Sequence, residues 1–288
     1  MATHRTAVHY LCNCCTAALL ALGAGNAAAS SFALIEQSVS GMGTAYAVGS
    51  SGIDDASTVY FNPAGMSRLH GSHLSGGLQI VDLSTDFKGS AEYANTGAAP
   101  PAGFDGVPLE GRKKLNLDTT ELVPSGYISH QYSDKVWFGI GVNAPFGLKT
   151  DYDSRKWVGR YNAIKSELLT ININPSMAFK FNDNVSIGFG MSAMYADGEL
   201  TNMADGGLRL AQAAAGLPGS DDGFVKLTAD DWGYGFNAGL LLTPTQNSRI
   251  GLHYRSEIDL KLDGDAKVSG FDSPLLESAK GKQDAKLD

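Results

Sequence analysis

SFALIEQSVSGMGTAYAVGSSGIDDASTVYFNPAGMSR, residues Ser31 to Arg68, is the stretch on which the reading of this chain turns. It is rich in small residues, follows an apolar leader and ends where alternating strands begin. Asn62-Pro63-Ala64 is a helix-start signal. Asn caps the orphan amides of a first turn, and Pro fits the first helical position because its missing N–H is not needed there. Asp54 and Ser57 offer a second cap just upstream. Local rules alone make this a loopy N-terminal segment with two short helices.

Before it, Arg5 is the only strong base ahead of the apolar run Thr16 to Leu22, and Ala27-Ala28-Ala29 follows. A positive region, a short apolar region and small residues predict a secretory signal peptide over 1–29, with Ser30 as the new N-terminus. The run is far shorter than the roughly 20 residues of a transmembrane helix. All three cysteines, Cys12, Cys14 and Cys15, lie in this leader. The predicted mature chain therefore has neither a disulfide framework nor a thiolate metal site. Losing the charge of Arg5 takes the formal charge from −8 to −9. A modestly acidic, Gly-rich export product argues against a nucleic-acid partner.

Beyond Arg68 the signal has period two, which sets alternate side chains on opposite faces of a strand. Leu169 to Phe181, Val185 to Tyr195, Trp232 to Leu242 and, most cleanly, Ile250 to Leu262 alternate apolar residues with Gly, Asn, Ser or charge. Val136 to Val142 is shorter, and His73–Phe87 and Glu121–Tyr132 are weaker, giving seven expected strands. Alternation alone fits either a soluble sandwich, apolar face inward, or a membrane barrel, apolar face outward. Link lengths favour the barrel. Tight links at Ser133-Asp134-Lys135, Asn182-Asp183-Asn184 and Pro244 to Ser248 alternate with long ones over Ser84–Thr120, Phe146–Glu167 and Asp197–Asp231. That is the pattern of short periplasmic turns and elaborated external loops. Leu208 to Leu217 reads as a short helix in one such loop. Pro145 has no N–H for a ladder and Gly147 weakens a strand, so pairing is expected to break over Ala144 to Gly147.

The ordered motifs Glu36-Gln37-Ser38, Ser40-Gly41-Met42-Gly43, Ala45-Tyr46-Ala47, Asp54-Asp55-Ala56-Ser57 and Asn62-Pro63-Ala64-Gly65-Met66 resemble the N-terminal hatch of the FadL/TodX family. The resemblance continues through Asn143 to Thr150, Trp157-Val158-Gly159-Arg160-Tyr161, Ala163 to Glu167, Ile171 to Pro175 and Tyr254-Arg255-Ser256. It implies an all-β outer-membrane protein of Gram-negative bacteria, a fourteen-stranded antiparallel barrel plugged by a partly helical hatch. Residues 30–69 would be the hatch and 70–288 about half of the barrel, so a fragment is expected, ending in a polar tail from Lys280 within an external loop. The implied activity is passive uptake of long-chain fatty acids or similar hydrophobic molecules. External loops capture the cargo, and it leaves sideways through the wall after hatch movement.

On that resemblance Ala144, Pro145, Phe146 and Gly147 border the lateral opening, facing Asn62, Pro63 and Ala64, and Leu208, Leu210 and Ala211 belong to the capturing loop. Arg255 and Lys261 fall on the lumen side of the alternation and are candidates for a fatty-acid carboxylate. Where the family has a basic residue after the fifth strand this chain has Asn202, which keeps an aromatic or alkane cargo open. His70, His73, His130 and His253 show no metal spacing or triad motif. We therefore expect no catalytic site, no metal and no cofactor, and an outer-membrane monomer delivered by Sec-type export into lipid. A non-transporting structural barrel or an open porin is the further alternative.

Overall fold

A computed structural model describes residues 33–52, 54–93, 106–152, 154–207, 219–245 and 247–287. The leader 1–29 and Leu208, Leu210 and Ala211 lie outside the described residues.

From Leu34 onward the chain starts with three one-turn helices, α1 (Val39–Met42), α2 (Gly49–Gly52) and α3 (Thr58–Phe61). A 3-10 helix over Pro63–Arg68 follows. Both sequence signals at its start act as the sequence implies. The Asn62 side chain accepts from Ala64 N, and Pro63 occupies the first turn. Strands follow as β1 (Ser72–Lys88), β2 (Lys114–Gln131), β3 (Val136–Asn143), β4 (Gly147–Asp151) and β5 (Lys165–Asn182). The remainder are β6 (Val185–Asp205), β7 (Asp222–Thr245), β8 (Ser248–Arg255), β9 (Leu262–Ser269) and β10 (Gly281–Leu287).

All ten belong to one antiparallel sheet in the order β1-β2-β3-β5-β6-β7-β9-β10, with β4 on β5 and β8 on β7. The sheet does not close on itself, as a partial barrel would leave it. The long strands, up to 24 residues in β7, run well past the roughly 9–11 that a tilted membrane strand needs. No helix among the described residues is long and apolar enough to cross a membrane.

The seven expected strands become ten for two reasons. Two splits add a strand each: β4 follows β3 inside the link expected over Phe146–Glu167, and the expected strand Ile250 to Leu262 keeps only Ile250–Arg255 in β8 and Leu262 in β9. The stretch beginning at Lys280, expected to be a polar loop tail, instead supplies β10, which pairs with β9 from Gly281↔Val268 to Leu287↔Leu262.

The second split corrects the reading of Lys261. Pairing of β8 with β7 runs in the register Asn237↔Arg255, whereas β9 takes up Asp230↔Asp263, one residue out of step. A one-residue slip exchanges the two faces of a strand. Leu252 and Tyr254 point outward, both 60% exposed. Ile258 and Leu260, though in phase with them along the chain, pack over Gly233 and Gly235 on the inner face instead. Lys261 lies in this break, outside any strand, with its backbone N–H on Asp231 Oδ2.

The sheet is solvated inside out. Its outer face carries Leu74, Ile80, Ile171, Met191 and Leu252, all more than half exposed, while its inner face buries Ser129, Asn143, Asn172, Asn174 and Asn237. A water-soluble sandwich would reverse this, so the outer face is built for lipid. On that face Tyr195 and Trp232 sit side by side, ring centres 5.3 Å apart.

Candidate functional site

Residues 34–69 lie against the inner face, and small residues in the wall make room for them. A Cβ at Gly188 would run into Ala64 N and Pro63 C, and one at Gly239 into Asn62 Oδ1. The Gly/Asn face of the alternation is thus a bed for this segment. Asn62 donates to Ser50 O (2.7 Å), Leu240 O (3.2 Å) and Leu252 O (3.4 Å). Further along, Ala56, Val59 and Met66 form an apolar cluster with Tyr127, Trp137 and Ala178 of the wall. Trp137 Nε1 closes it with a bond to Leu69 O at 2.7 Å.

Arg255 is on the inner face, as alternation predicts, and is committed to the segment. It donates to Tyr60 O at 2.8 Å and to Ser192 Oγ at 3.2 Å, with its guanidinium over the Tyr60 ring at 4.3 Å. The geometry makes it an anchor for the Tyr60 turn, and it does not bring Arg255 and Lys261 together into one cationic pair.

The chain leaves strand pairing at Ala144 and resumes it with a bridge at Phe146, just ahead of β4. β3 meets β5 in the register Asn143↔Asn172, but β4 meets it as Gly147↔Leu169, again one residue out of step. Across the break the Thr170 hydroxyl stands in for a ladder partner, accepting from Phe146 N (3.1 Å) and donating to Phe146 O (2.6 Å). From the inside, Leu34 N donates to Pro145 O at 2.9 Å. Gln37 Nε2 donates to Ala144 O at 2.8 Å, while Gln37 Oε1 accepts from Asn143 Nδ2 at 2.7 Å. Tyr127 OH holds Gln37 O at 2.7 Å.

The residues of the segment at the break are therefore Leu34 and Gln37. Asn62, Pro63 and Ala64 lie elsewhere, against β6, β7 and β8 through Gly188, Leu240 and Leu252. The expectation that they face the break is corrected. The Asn62 cap turns the chain onto the β6–β8 wall, and the break is left to the irregular stretch around Leu34 and Gln37. Gln37 carried no signal of its own in the sequence beyond its place in a motif.

At the long-loop end of the sheet one side chain ties several loops. Arg160, 7% exposed, donates to Asp222 Oδ2 (2.9 Å), Glu110 O (2.8 Å) and Tyr161 OH (2.8 Å). Tyr161 OH in turn donates to Asp222 Oδ1 at 2.7 Å. Burial, reinforced by the Asp222 bond, raises the Tyr161 phenol well above its ordinary value. Tyr152 stacks on Trp157 at 3.9 Å with Phe87 edge-on at 5.1 Å, so these aromatics pack on each other. Asn202 donates to Tyr161 O at 3.1 Å. Among the described residues no group of His, Asp and Glu is arranged to hold a metal ion.

Comparison with known proteins agrees with this architecture. Residues 20–288 match the family described as "Outer membrane protein transport protein (OMPP1/FadL/TodX)". The chain is 31% identical over 283 residues to outer membrane protein P1 of Haemophilus influenzae, covering 92% of this chain and 61% of the relative. It is 31% identical over 264 residues to the long-chain fatty acid transport protein of Escherichia coli O6:H1, covering 88% and 56%. The crystal structure of a Pseudomonas aeruginosa FadL homologue superposes with a TM-score of 0.72 at 22% identity, covering 89% of this chain and 63% of that one. The chain thus spans about three fifths of the length of the proteins it matches. With its inside-out sheet and its inner segment threaded to the wall break, the chain belongs to the OMPP1/FadL/TodX family of outer-membrane transport proteins.

Proposed function

We propose that this chain works in passive uptake of long-chain fatty acids or similar hydrophobic molecules across the outer membrane, with lateral release into the bilayer. In this reading 1–29 is the export leader, 30–69 the plug and 70–288 wall. Cargo captured by the external loops passes into the lumen and leaves beside Ala144 to Gly147 once Leu34 and Gln37 have withdrawn. The observation that carries it is the break itself, a wall strand interrupted between Asn143 and Gly147 and filled from inside by the plug. Leaving sideways keeps apolar surface from water, worth about 25 cal/mol per Å². A monomer in lipid suffices for this reading.

Substituting Gly147 tests the route. A Cβ there would already approach Leu34 Cδ1 to 3.2 Å. Gly147→Arg in the full chain is expected to abolish uptake of a fluorescent fatty acid while leaving heat-modifiable folding intact. Uptake at the parent rate in a normally folded variant would rule the route out. An aromatic or alkane cargo is the second reading, supported by Asn202 where the family has a base. Parallel uptake of oleate and toluene separates the two.

A further inference from the structure

Above the break the wall is split along its length. Ladder pairing between β2 and β3 stops at Ser125↔Asn143, so Lys114–Pro124 of β2 pair only with β1. Facing them, β4 pairs only with β5. The two strand edges close again higher up, where Arg112 N donates to Lys156 O at 2.8 Å and Val158 N to Arg112 O at 3.2 Å. Between these closures lies a cleft of about 400 Å³ lined by Asn116 to Glu121, Lys149 and Asp151.

An ion pair crosses it, Lys149 Nζ to Glu121 Oε1 at 2.9 Å, with both side chains about one-third exposed. Its two members belong to opposite faces of the wall. Glu121 is in phase with Val123, Ser125 and Tyr127, which are buried on the lumen side. Lys149 pairs with Glu167, in phase with the exposed Leu169 and Ile171. The one-residue slip at Ala144–Phe146 is what turns Lys149 to that side. Lys149 also stands 3.8 Å from Glu167, so its ammonium is shared between a lumen-side and an outer-side carboxylate. Along the strand it lies four residues above Ile171, the partner of Tyr195, roughly 13 Å outward of the aromatic row at strand rise.

We propose that Lys149 is the headgroup ligand of the lateral slit. An amphiphile with a carboxylate and a long apolar tail would exchange its carboxylate for that of Glu121, opening the ion pair as it passes between β2 and β4. The exchange keeps the ammonium paired, while the displaced Glu121 carboxylate, about one-third exposed, turns to water. A neutral hydrocarbon offers no such replacement and must pass with the pair intact or broken at cost. The proposal rests on lateral release, and selects carboxylate amphiphiles as the cargo that the slit handles best.

The test uses full-chain Lys149→Met and Lys149→Arg, and a Glu121→Cys/Lys149→Cys double variant bridged by a short bifunctional methanethiosulfonate. Uptake of oleate is compared with that of oleyl alcohol, the same tail without the charge. Lys149→Met is expected to lower oleate uptake roughly tenfold, the scale of one hydrogen bond to a charged group. It should move oleyl alcohol uptake less than twofold, with Lys149→Arg near the parent for both. The bridged variant should block both cargoes until reductant is added. Equal loss of both cargoes in Lys149→Met, or no loss in either, overturns the headgroup role while leaving lateral release standing if the bridge still blocks. Transport at the parent rate by the bridged protein overturns the slit as a route altogether. Heat-modifiable migration of each variant shows that it has folded.

Discussion

Asn62 donates its side-chain amide to the Leu240 carbonyl at 3.2 Å, joining positions 178 residues apart. The same side chain accepts from Ala64 N and reaches Ser50 O, so it caps a helix and docks that helix on the wall at once. Asn62→Ala is expected to cost about 1–3 kcal/mol through the carbonyls and amide left unpaired. Limited proteolysis of the full chain in micelles should then cut between Val48 and Arg68 faster, with the strand signal in circular dichroism unchanged. An unaltered digestion rate would show that these bonds do not hold the segment.

Gly188 offers an independent test, because what a Cβ there meets is backbone that cannot swing aside. Gly188→Val should displace the Pro63–Ala64 turn and raise the resting conductance of the protein in planar bilayers. At Gly126 a Cβ meets nothing within 4 Å, so Gly126→Val should leave conductance as it is. Equal conductance for the two variants would contradict the fit of the segment to the wall.

The loop tie at Arg160 has a defined pH response. Burial first, then the hydrogen bond to Asp205, pushes the Tyr93 phenol up to about 12, and Tyr161 is raised likewise by burial and Asp222. An unfolded tyrosine loses its proton near pH 10, whereas these hold theirs when folded. Their contribution is therefore fully present below about pH 10 and is lost as pH rises through the folded values. Thermal stability of the external loops should fall between about pH 10 and 12 in parallel with tyrosinate absorbance. Tyr161→Phe should flatten that fall, and a pH-independent wild type would refute the assignment.

Strand direction predicts sidedness. Asp183 lies in the tight turn between β5 and β6, and Asp272 in the connection between β9 and β10. With cysteine at each position in turn, an impermeant maleimide on intact cells should label Asp272→Cys and spare Asp183→Cys. The opposite pattern would invert the topology.

Much of this wall is legible in the sequence, and the exceptions have one physical origin. Val185 to Tyr195 and Leu169 to Phe181 alternate cleanly and form strands over those residues. Pro145 announces the first break because it removes a donor that the ladder needs. The second break is hidden in the best alternation of all. Ile250 to Leu262 departs from its period only at Ser256, a hydroxyl in the apolar phase, and the sheet slips by one residue between Arg255 and Leu262. Periodicity records which residues share a phase but not which partner they meet, so it cannot register a slip. Gly281–Leu287 shows the reverse case, since a polar stretch without period becomes a strand through its neighbour β9. The Lys149–Glu121 pair was equally invisible, because it depends on the phase exchange that only the sheet reveals.

The inner segment is fastened unevenly along its length. Ala56, Val59 and Met66 are fully buried against Tyr127, Trp137 and Ala178, and such a seam must be wetted as a whole before it parts. Leu34 and Gln37, at the wall break, are held by separate bonds to Pro145 O, Ala144 O and Asn143 Nδ2. Gln37 is itself fully buried, so its bonds part only together with the packing around it, and each buried group left unpaired costs about 1–3 kcal/mol. In the proposed uptake the segment would turn as a hinged flap, with its hinge in the apolar seam and its moving end at Leu34 and Gln37.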